Sequence, residues 1–448
     1  MSADDINNKV TGGRWIAPFM VTFWGWTFDL FDLFTILLVT PFIAPLFFPS
    51  SNYAVSVFGT YGAFVVAYLA RPVGAAFYGN KGDKEGRKKI LIRTAIGLVI
   101  TAVLLGLLPT YMMVGVIAPV LLIVVRLLEG FFVGGLTAGA FTIGPEGVAE
   151  RYRGFTSGAG FSAAGMAFFL AGLWFLMTTT VFPGASYLVW GWRVMFFSGI
   201  FPLIVVLILN LKVPEPEIFS KVQKKAREPF KQLFSKGMKL RRVFAIAVMV
   251  TIGWAGLYYI TIGMMSTYLK VINHVPLSSI AIIIVVSSLG MIFGPTLGGI
   301  LSEFVGRKVI AIIGAPITIS AAFIYLIIQS LGPGSIGAIM LWFAILSFLI
   351  DFGGGMLMIY LNEIYPTTVR ASGVAFTWNL AFTIGSFSPV ILSGITAIYG
   401  FGILTDAEII GIIVIALIGL AGILMSPETR GNLDKNTADT ASYGESIN

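Results

Sequence analysis

The sequence predicts an all-α integral membrane protein with twelve transmembrane helices in two pseudosymmetric six-helix bundles. Three observations predict this fold class. Hydrophobic residues make up 57% of the 448 residues and charged residues only 11%, apolar runs of about 20 residues recur along the chain, and charged motifs are repeated in its two halves. A water-soluble fold needs a polar shell that this composition cannot supply. The bilayer is therefore the predicted environment.

The apolar runs between polar breaks define the spans. They fall at 16–45, 54–79, 89–108, 114–142, 155–181, 190–211, 243–270, 277–302, 308–330, 335–362, 371–400 and 406–426. Lysine and arginine concentrate in alternate loops and in the segment 213–242, and positive charge is retained on the cytoplasmic side. The sequence therefore predicts a multi-pass protein of the cell membrane with both termini in the cytoplasm.

The charge and the rare residue types exclude other classes. The net charge of +8 follows from the topology and from contact with anionic lipid, so no nucleic-acid partner is expected. Without cysteine there is no disulfide or thiolate chemistry, and a single histidine argues against a histidine-built metal site. No nucleophile and base stand together at depth, so the protein is not expected to be an enzyme. We expect a monomer without metal or cofactor.

Two charged motifs occur once in each half with the same internal spacing. Their acids and arginines are Asp83 with Arg87, Glu146 with Arg153, Glu303 with Arg307, and Glu363 with Arg370. The repetition indicates an internal duplication, which is typical of transporters whose site lies at the midplane between two halves. The predicted domains are a six-helix bundle at 1–212, a cytoplasmic linker at 213–242, a second six-helix bundle at 243–430 and a cytoplasmic tail at 431–448.

These motifs resemble those of the major facilitator superfamily over essentially the whole chain. Residues 79–88 resemble its signature between helices 2 and 3, and Arg126-x-x-x-Gly130 resembles its helix 4 signature. Residues 427–431 (Pro-Glu-Thr-Arg-Gly) look like the sugar-porter ending, and 70–74 (Ala-Arg-Pro-Val-Gly) are similar to metabolite:proton symporters. The paired acids in 28–32 resemble those of aromatic-acid and sialate or monocarboxylate:proton symporters. The resemblance implies the major facilitator fold, and it implies that the repeated clusters lock the cytoplasmic side in one conformation.

Asp29 and Asp32 lie inside the apolar run 15–48, where a charge costs at least a few kcal/mol. Helical rise puts Asp32 roughly 25 Å from both ends of the run, near the bilayer midplane. Two carboxylates one turn apart do not both ionise readily in a dry site, which suits a proton carrier. The structural alternative for Asp29 is a hydrogen-bonded acid that faces another helix.

Arg126 lies too deep in span 4 to reach water by snorkelling, so it must face a cavity or a carboxylate. Glu129 is three residues on, on roughly the same helix face, and can pair with it. In the sugar porters that the chain resembles, an acid of helix 1 and the arginine of helix 4 form the coupling pair, which carries over to Asp32 and Arg126. We predict Asp32, Asp29 and Glu129 as proton-coupling groups and Arg126 as a substrate anchor. A static ion pair between helices 1 and 4 is the alternative.

Three further residues are candidate substrate contacts. Asp351 lies at mid-depth in span 10 beside three glycines, where it could meet substrate or make a structural hydrogen bond. Tyr258 and Asn379 are polar residues in helices that line the cavity in the superfamily. Arg71 lies roughly 15 Å into the membrane and is interpreted as structural.

The predicted function is proton-coupled symport of a small organic anion by alternating access. One alternative is a sugar or polyol:proton symporter, which the ending at 427–431 favours; another is an uncoupled facilitator whose buried acids are structural. Export by antiport is a third alternative, but Gly290-x-x-x-Gly294-Pro295, which matches a pattern of drug and proton antiporters, is in span 8 instead of helix 5. We interpret it as a close helix-packing motif.

Overall fold

The computed structural model describes residues 16–85, 87–137, 152–201, 237–366 and 369–432. Helices make up most of these ranges, which contain no β-strand. Several predictions lie outside what is described. They concern the side chains of Asp29, Asp83 and Arg87, the residue Glu146, and the linker 213–242 up to residue 236.

The first half contributes helices α1 to α6. Their bounds are Ile16–Phe47 (α1), Tyr53–Glu85 (α2), Arg87–Leu107 (α3), Ile117–Thr137 (α4), Arg153–Phe161 with Ala163–Val181 (α5), and Trp192–Phe197 (α6). A short helix, Tyr111–Val114, joins α3 to α4, and a π-helical turn, Tyr187–Gly191, leads into α6. The description of α6 ends at residue 201.

The second half contributes helices α7 to α12, and four of these are interrupted. Their bounds are Gly237–Thr261 with Met265–Val271 (α7), Leu277–Val305 (α8), Arg307–Ala322 with Ile324–Ser330 (α9), Ile336–Phe352 with Leu357–Ile364 (α10), Arg370–Gly385 with Ser388–Tyr399 (α11), and Leu404–Met425 (α12). A 3-10 turn, Gly353–Met356, joins the two pieces of α10.

Each of the twelve predicted spans is mainly helical where the structure describes it. Ten helices in the described ranges are long and apolar enough to cross a bilayer, and the apolar part of α3, Ile92–Leu107, is shorter. The sixth predicted span, 190–211, is described for only part of its length. The all-α membrane fold predicted from the sequence is confirmed.

The packing of helices repeats between the halves. In the first half α2 packs on α4, α1 on α5 and α3 on α6; in the second half α8 packs on α10, α7 on α11 and α9 on α12. The two halves meet where α5 packs on α8 and where α2 packs on α11. This repetition is what two pseudosymmetric bundles require, and it leaves the seam between them as the place for a shared site.

Glycines allow the closest helix pairs to approach. On α8, a Cβ atom on Gly290, Gly294 or Gly298 would collide with a backbone carbonyl of α10. On α4, a Cβ on Gly130 would collide with the carbonyl of Ala67 on α2, at the equivalent place in the first half. Small residues are the usual means of close packing between membrane helices. The packing interpretation of the motif that begins at Gly290 is therefore confirmed.

The contact of α5 with α8, which joins the two halves, is also made by glycine. A Cβ on Gly158 would lie 3.0 Å from the Cα of Thr296 and 3.1 Å from the Cα of Gly299. No side chain fits between the two backbones at this point. We call this crossing the glycine contact.

The two ends of the bundle are named from the predicted orientation. The inner end carries the turn at Gly306 between α8 and α9, and the outer end carries the connection between α7 and α8. Gly306 has a φ of 102°, a conformation that glycine adopts without strain.

Candidate functional site

Arg126 and Glu129 form a tight ion pair on α4. One turn of helix separates them, and Nη1 of Arg126 lies 2.5 Å from Oε2 of Glu129. Each residue is only 2% exposed. A guanidinium in such a place is tolerated only with a partner, because the desolvation of an unpaired charge costs several kcal/mol.

Asp32 approaches the same guanidinium from α1. Its Oδ2 lies 4.0 Å from Nη1 of Arg126, which is an ion-pair distance but too long for a hydrogen bond. The Asp32 side chain is 22% exposed. The sequence offered both acids as partners of Arg126, and in this conformation Glu129 is the closer of the two.

Arg71 of α2 completes the charged group. Arg126, Asp32 and Arg71 all act electrostatically on Glu129. The Cζ of Arg71 lies 4.0 Å from the ring centroid of Tyr68, so a cation–π contact also holds it on its own helix. Three helices, α1, α2 and α4, thus bring two acids and two arginines together in the first half.

An aromatic cluster lies at the seam of the two halves. Trp26 of α1 has its ring centroid 5.1 Å from that of Trp378 of α11 and 5.4 Å from that of Phe161 of α5. Phe161 in turn lies 4.0 Å from Trp254 of α7, nearly edge to face. Each bundle supplies two of these rings, so a relative movement of the halves must rearrange them.

The structure does not bring the other predicted substrate residues to Arg126. Asn379 donates its amide to the Ala375 carbonyl of its own helix at 2.9 Å. Tyr258 is buried against Phe34, with ring centroids 5.4 Å apart. Asp351 is 2% exposed, and its Oδ1 has no hydrogen-bond partner among the described residues. Asn379 therefore binds backbone in this conformation, and Asp351 is an isolated buried acid.

A charged cluster holds the inner end of the second half. Arg307, at the start of α9, places Nη2 2.9 Å from Glu303 and Nε 3.4 Å from Glu363 of α10. Glu363 also accepts a hydrogen bond from the Thr429 hydroxyl at 3.0 Å. Glu428, in the same segment after α12, accepts the backbone N–H groups of Arg307 and Lys308 at 3.0 Å each. The Pro-Glu-Thr-Arg-Gly segment at 427–431 therefore ties three helices together.

This cluster also reaches the first half. Glu303 accepts a hydrogen bond from the backbone N–H of Gly154 at the start of α5. Close by, the Ser157 hydroxyl donates to the Gly355 carbonyl of α10 at 2.8 Å. The contacts between the halves at the inner end therefore include Glu303, an acid of a repeated motif.

Two more arginines of the repeated motifs occupy equivalent positions. Arg153 is the first residue of α5 and Arg370 the first residue of α11, and both are buried, with 7% and 3% exposure. Together with Glu303, Arg307 and Glu363 they surround the inner ends of the helices that form the seam.

The outer end is closed by a different set of contacts, most of them from α7. Lys270 donates to the Pro41 carbonyl of α1 at 2.5 Å and to the Tyr53 hydroxyl of α2 at 2.8 Å. Ser266 donates to the Leu38 carbonyl of α1 at 2.8 Å. We call these contacts, with those of Tyr61 described next, the outer closure.

Tyr61 of α2 makes the remaining contacts of the outer closure. Its hydroxyl lies 2.8 Å from the Thr267 hydroxyl and 3.2 Å from the Gly263 carbonyl, in the break between the two pieces of α7. Described contacts therefore join the two halves at both ends, and the charged group around Arg126 lies between them. Such an arrangement can enclose a small charged solute and release it to one side when one set of contacts breaks.

Sequence reasoning did not identify the outer closure. Its acceptors are mostly backbone carbonyls, which no motif of residue types encodes. The available signal was Lys270, a basic residue at an outer end that the positive-inside pattern otherwise leaves poor in charge.

A groove of about 540 Å³ lies elsewhere, between α9 and α10. It is lined by Ile312, Ile313, Pro316, Ile317, Ser320 and Leu349. None of the residues predicted from the sequence to contact substrate lines it, and its apolar lining suits lipid.

Comparison with known proteins gives curated relatives that match along most of the chain. The chain is 27% identical to the inner membrane metabolite transport protein YhjE of Escherichia coli over 91% of its own length and 92% of that protein. It is 27% identical to a citrate-proton symporter of Klebsiella pneumoniae over 85% of each chain. It is 28% identical to the proline/betaine transporter of Escherichia coli over 78% of this chain and 71% of that protein.

A solved structure and a family model agree with these relatives. The xylose transporter XylE of E. coli, in a partially occluded inward-open conformation, matches with a TM-score of 0.69 and 18% identity over 94% of this chain and 99% of that chain. This likeness concerns the fold. The model of the Major Facilitator Superfamily, a family of membrane transporters and not of enzymes, matches residues 20–389, so the chain belongs to the Major Facilitator Superfamily.

Proposed function

We propose that this metabolite transporter is a proton-coupled symporter of a small organic anion. Arg126 binds the carboxylate of the substrate, and Asp32, with Asp29 one turn away, takes up the proton. In this proposal the protein works as a monomer in the cell membrane, with both termini in the cytoplasm. No cofactor takes part.

One observation carries the proposal: Arg126 is shared unequally between two acids. Glu129 holds it at 2.5 Å and is buried, whereas Asp32 lies 4.0 Å away and remains partly exposed. Asp32 can therefore exchange a proton with water that reaches the site, while Glu129 keeps the guanidinium in position. Protonation of Asp32 removes its charge and leaves one side of Arg126 for another carboxylate.

The charges of the site support symport over simple binding. Asp32 and Glu129 balance Arg71 and Arg126 when all four are ionised. A proton on Asp32 leaves one positive charge in excess, and an anion restores neutrality. Because each ligand favours the other, proton and anion bind cooperatively, and the coupling is reciprocal. A buried site avoids the cost of a net charge only when both are present or both are absent.

The relatives support an acid as the cargo without deciding which one. The Klebsiella pneumoniae relative is a citrate-proton symporter, and the Escherichia coli YhjE protein is a metabolite transporter. The citrate-proton symporter argues for a substrate with a carboxylate. We infer that Asp351, Tyr258 and Asn379 contact the substrate only after the second half rearranges.

The repeated clusters are the proposed inner gate. Opening to the cytoplasm separates Glu303 from Gly154 and lets Arg307 move away from the seam. Arg153, Glu363 and Arg370 act in the same gate. We extend the role to Asp83, Arg87 and Glu146 because the motif repeats.

A zwitterion is the second candidate substrate. Trp26, Trp254, Trp378 and Phe161 offer aromatic faces at the seam, and a quaternary ammonium binds such faces well. The relatives that transport proline and betaine favour the same idea. Arg126 would then bind the carboxylate end and the aromatic cluster the cationic end.

The test is uptake into proteoliposomes with and without an inward proton gradient. The labelled probes are citrate, lactate, benzoate, proline, glycine betaine and xylose. We compare the wild type with Asp32→Asn and Arg126→Lys, and with Asp406→Asn, which removes an exposed acid of α12, as the matched control. We expect gradient-driven accumulation of a carboxylate, loss of that accumulation in Asp32→Asn with exchange retained, and at least a tenfold rise in KM in Arg126→Lys because a bidentate contact is lost.

Each other outcome has a definite meaning. Accumulation of xylose alone would make the protein a sugar:proton symporter and remove the anchoring role of Arg126. Accumulation of glycine betaine but not of the simple acids would select the zwitterion. Uptake that ignores the gradient in every variant would make the protein a facilitator with structural acids.

A further inference from the structure

Glu408, one turn into α12 at the outer end, is a buried acid that the proposed mechanism does not use. Glu408 is 0% exposed, and neither of its carboxylate oxygens has a hydrogen-bond partner among the described residues. The Tyr325 hydroxyl of α9 is the polar group that acts on it. No lysine or arginine is among the groups that act on it.

An ionised carboxylate cannot be held cheaply in this place. Without a cation or strong donors, the desolvation of the charge costs several kcal/mol, and a neutral carboxyl group avoids that cost. The surroundings of Glu408 are therefore those of a protonated acid. Asp406, two residues away on the same helix, is exposed.

The polar groups around Glu408 connect it to the outer closure. Glu408 acts electrostatically on Tyr268 in the second piece of α7 and on Tyr61 of α2. The Tyr268 hydroxyl lies 2.7 Å from the hydroxyl of Thr405, one turn before Glu408. Tyr61 makes two of the contacts that join the halves at the outer end. The acid thus lies behind the segment that must move when the outer end opens.

The other titratable groups near this end leave Glu408 without a counter-charge. Lys270 is on the same piece of α7 as Tyr268, but it donates to Pro41 and Tyr53 of the opposite half. The remaining titratable or charged groups near the outer ends of the surrounding helices are Tyr258, Tyr259, Tyr399, Asp406 and His274, which follows the second piece of α7. His274 is the one of these that can carry a positive charge, and it is exposed.

We propose that Glu408 is a second proton-binding site, which couples closure of the outer end to uptake of a proton from the outside. When the second piece of α7 moves outward, water reaches the carboxyl group and it ionises like an ordinary surface acid. When that piece returns, burial requires the proton. Protons therefore favour the closed outer end, and closing takes up a proton by the same coupling. This role does not depend on the proposed symport or on the chemistry of the substrate.

The test measures the outer distance without any substrate. The chain has no cysteine, so spin labels attach only at Met112→Cys in the first half and Ile398→Cys in the second. Both positions are exposed, at 91% and 76%. Double electron–electron resonance in nanodiscs from about pH 5 to 9 gives the open and closed populations, in a range where a hydrated carboxyl group is ionised because its pKa is about 4.3.

We expect the ratio of open to closed molecules to rise with pH, by up to about tenfold per pH unit, because one proton is linked to closure. In Glu408→Gln the closed distance should persist at every pH. Glu408→Leu, which also removes the acid and suits an apolar place, serves if the glutamine variant does not fold. Asp406→Asn and Asp32→Asn should keep the wild-type response.

Two results would overturn the proposal. A wild-type distance that does not respond to pH would show that no proton is linked to closure. A response that survives in Glu408→Gln or Glu408→Leu would assign the coupled proton to another group, which is the central site if the response disappears in Asp32→Asn. Neither result bears on whether an anion is the cargo, because the labelled protein is free of substrate.

Discussion

The inner and outer ends of the molecule are closed by different chemistry. At the inner end a buried guanidinium, Arg307, is held by Glu303 and Glu363, and Glu303 reaches across to Gly154. At the outer end the contacts between halves are hydrogen bonds to backbone carbonyls and hydroxyls, with Lys270 as the one charged donor in the outer closure. A closure built on paired buried charges is strong while intact and costly to leave half-made, whereas neutral contacts can be broken one at a time.

The largest expected effect comes from Arg307→Ala. It leaves Glu303 and Glu363 buried without their cation, which should cost about 3–5 kcal/mol of stability. The measurement is thermal unfolding in detergent followed by fluorescence. The matched control is Arg430→Ala, which removes an exposed guanidinium that donates to the Phe304 carbonyl. A melting temperature of Arg307→Ala no lower than that of the control would contradict the charged nature of the inner closure.

A smaller effect is expected from Lys270→Met at the outer end. The change removes two hydrogen bonds between halves but keeps an unbranched apolar stem, so the open population should rise by about tenfold, or about 1.4 kcal/mol. The spin labels at Met112→Cys and Ile398→Cys report it. Arg193→Gln is the matched control, because Arg193 donates to the Gly106 and Leu108 carbonyls within one half. Equal opening in the two variants would mean that Lys270 does not hold the halves together.

The smallest effect is expected from Tyr61→Phe. The ring stays and the hydroxyl contacts with Thr267 and Gly263 are lost, which should shift the same equilibrium by about 0.5–1.5 kcal/mol. Tyr360→Phe is the control, since its hydroxyl bonds Ser426 inside the second half. Tyr61 and Lys270 share no partner, so the effects of the two changes should add within about 0.5 kcal/mol. A strong departure from additivity would show that the outer closure opens as one unit.

Much of the charged cluster at the inner end could be predicted from the sequence. Hydropathy located the spans, and the repeated spacing paired Glu303 with Arg307 and Glu363 with Arg370, whereas the contact of Arg307 with Glu363 comes from the packing of the helices. The spacing of Arg126 and Glu129 predicted their contact, because residues three apart share a helix face. These features depend on residue type and local period, which a sequence displays directly.

The contacts of the outer closure could not be predicted in the same way. The acceptors of Lys270 and Ser266 are carbonyls of Pro41 and Leu38, and any residue carries a carbonyl. The sequence analysis did not single out Glu408, because its burial depends on how α7 and α9 pack around it. Asn379 was predicted to face substrate, yet its amide bonds its own helix. Contacts set by tertiary packing leave no periodic trace in the chain.

The glycine contact between α5 and α8 has a mechanical consequence. Where side chains interdigitate, two surfaces must separate before they slide, and each separation breaks many dispersion contacts at once. At Gly158 and Gly299 the two backbones touch with no side chain between them, so the halves can rotate about this point without first moving apart. The crossing can serve as a pivot while the contacts at either end form and break. A single methyl group at Gly158 would collide with the Pro295 carbonyl of α8, so it would push the two helices apart, weaken the packing of the halves and hinder their rotation.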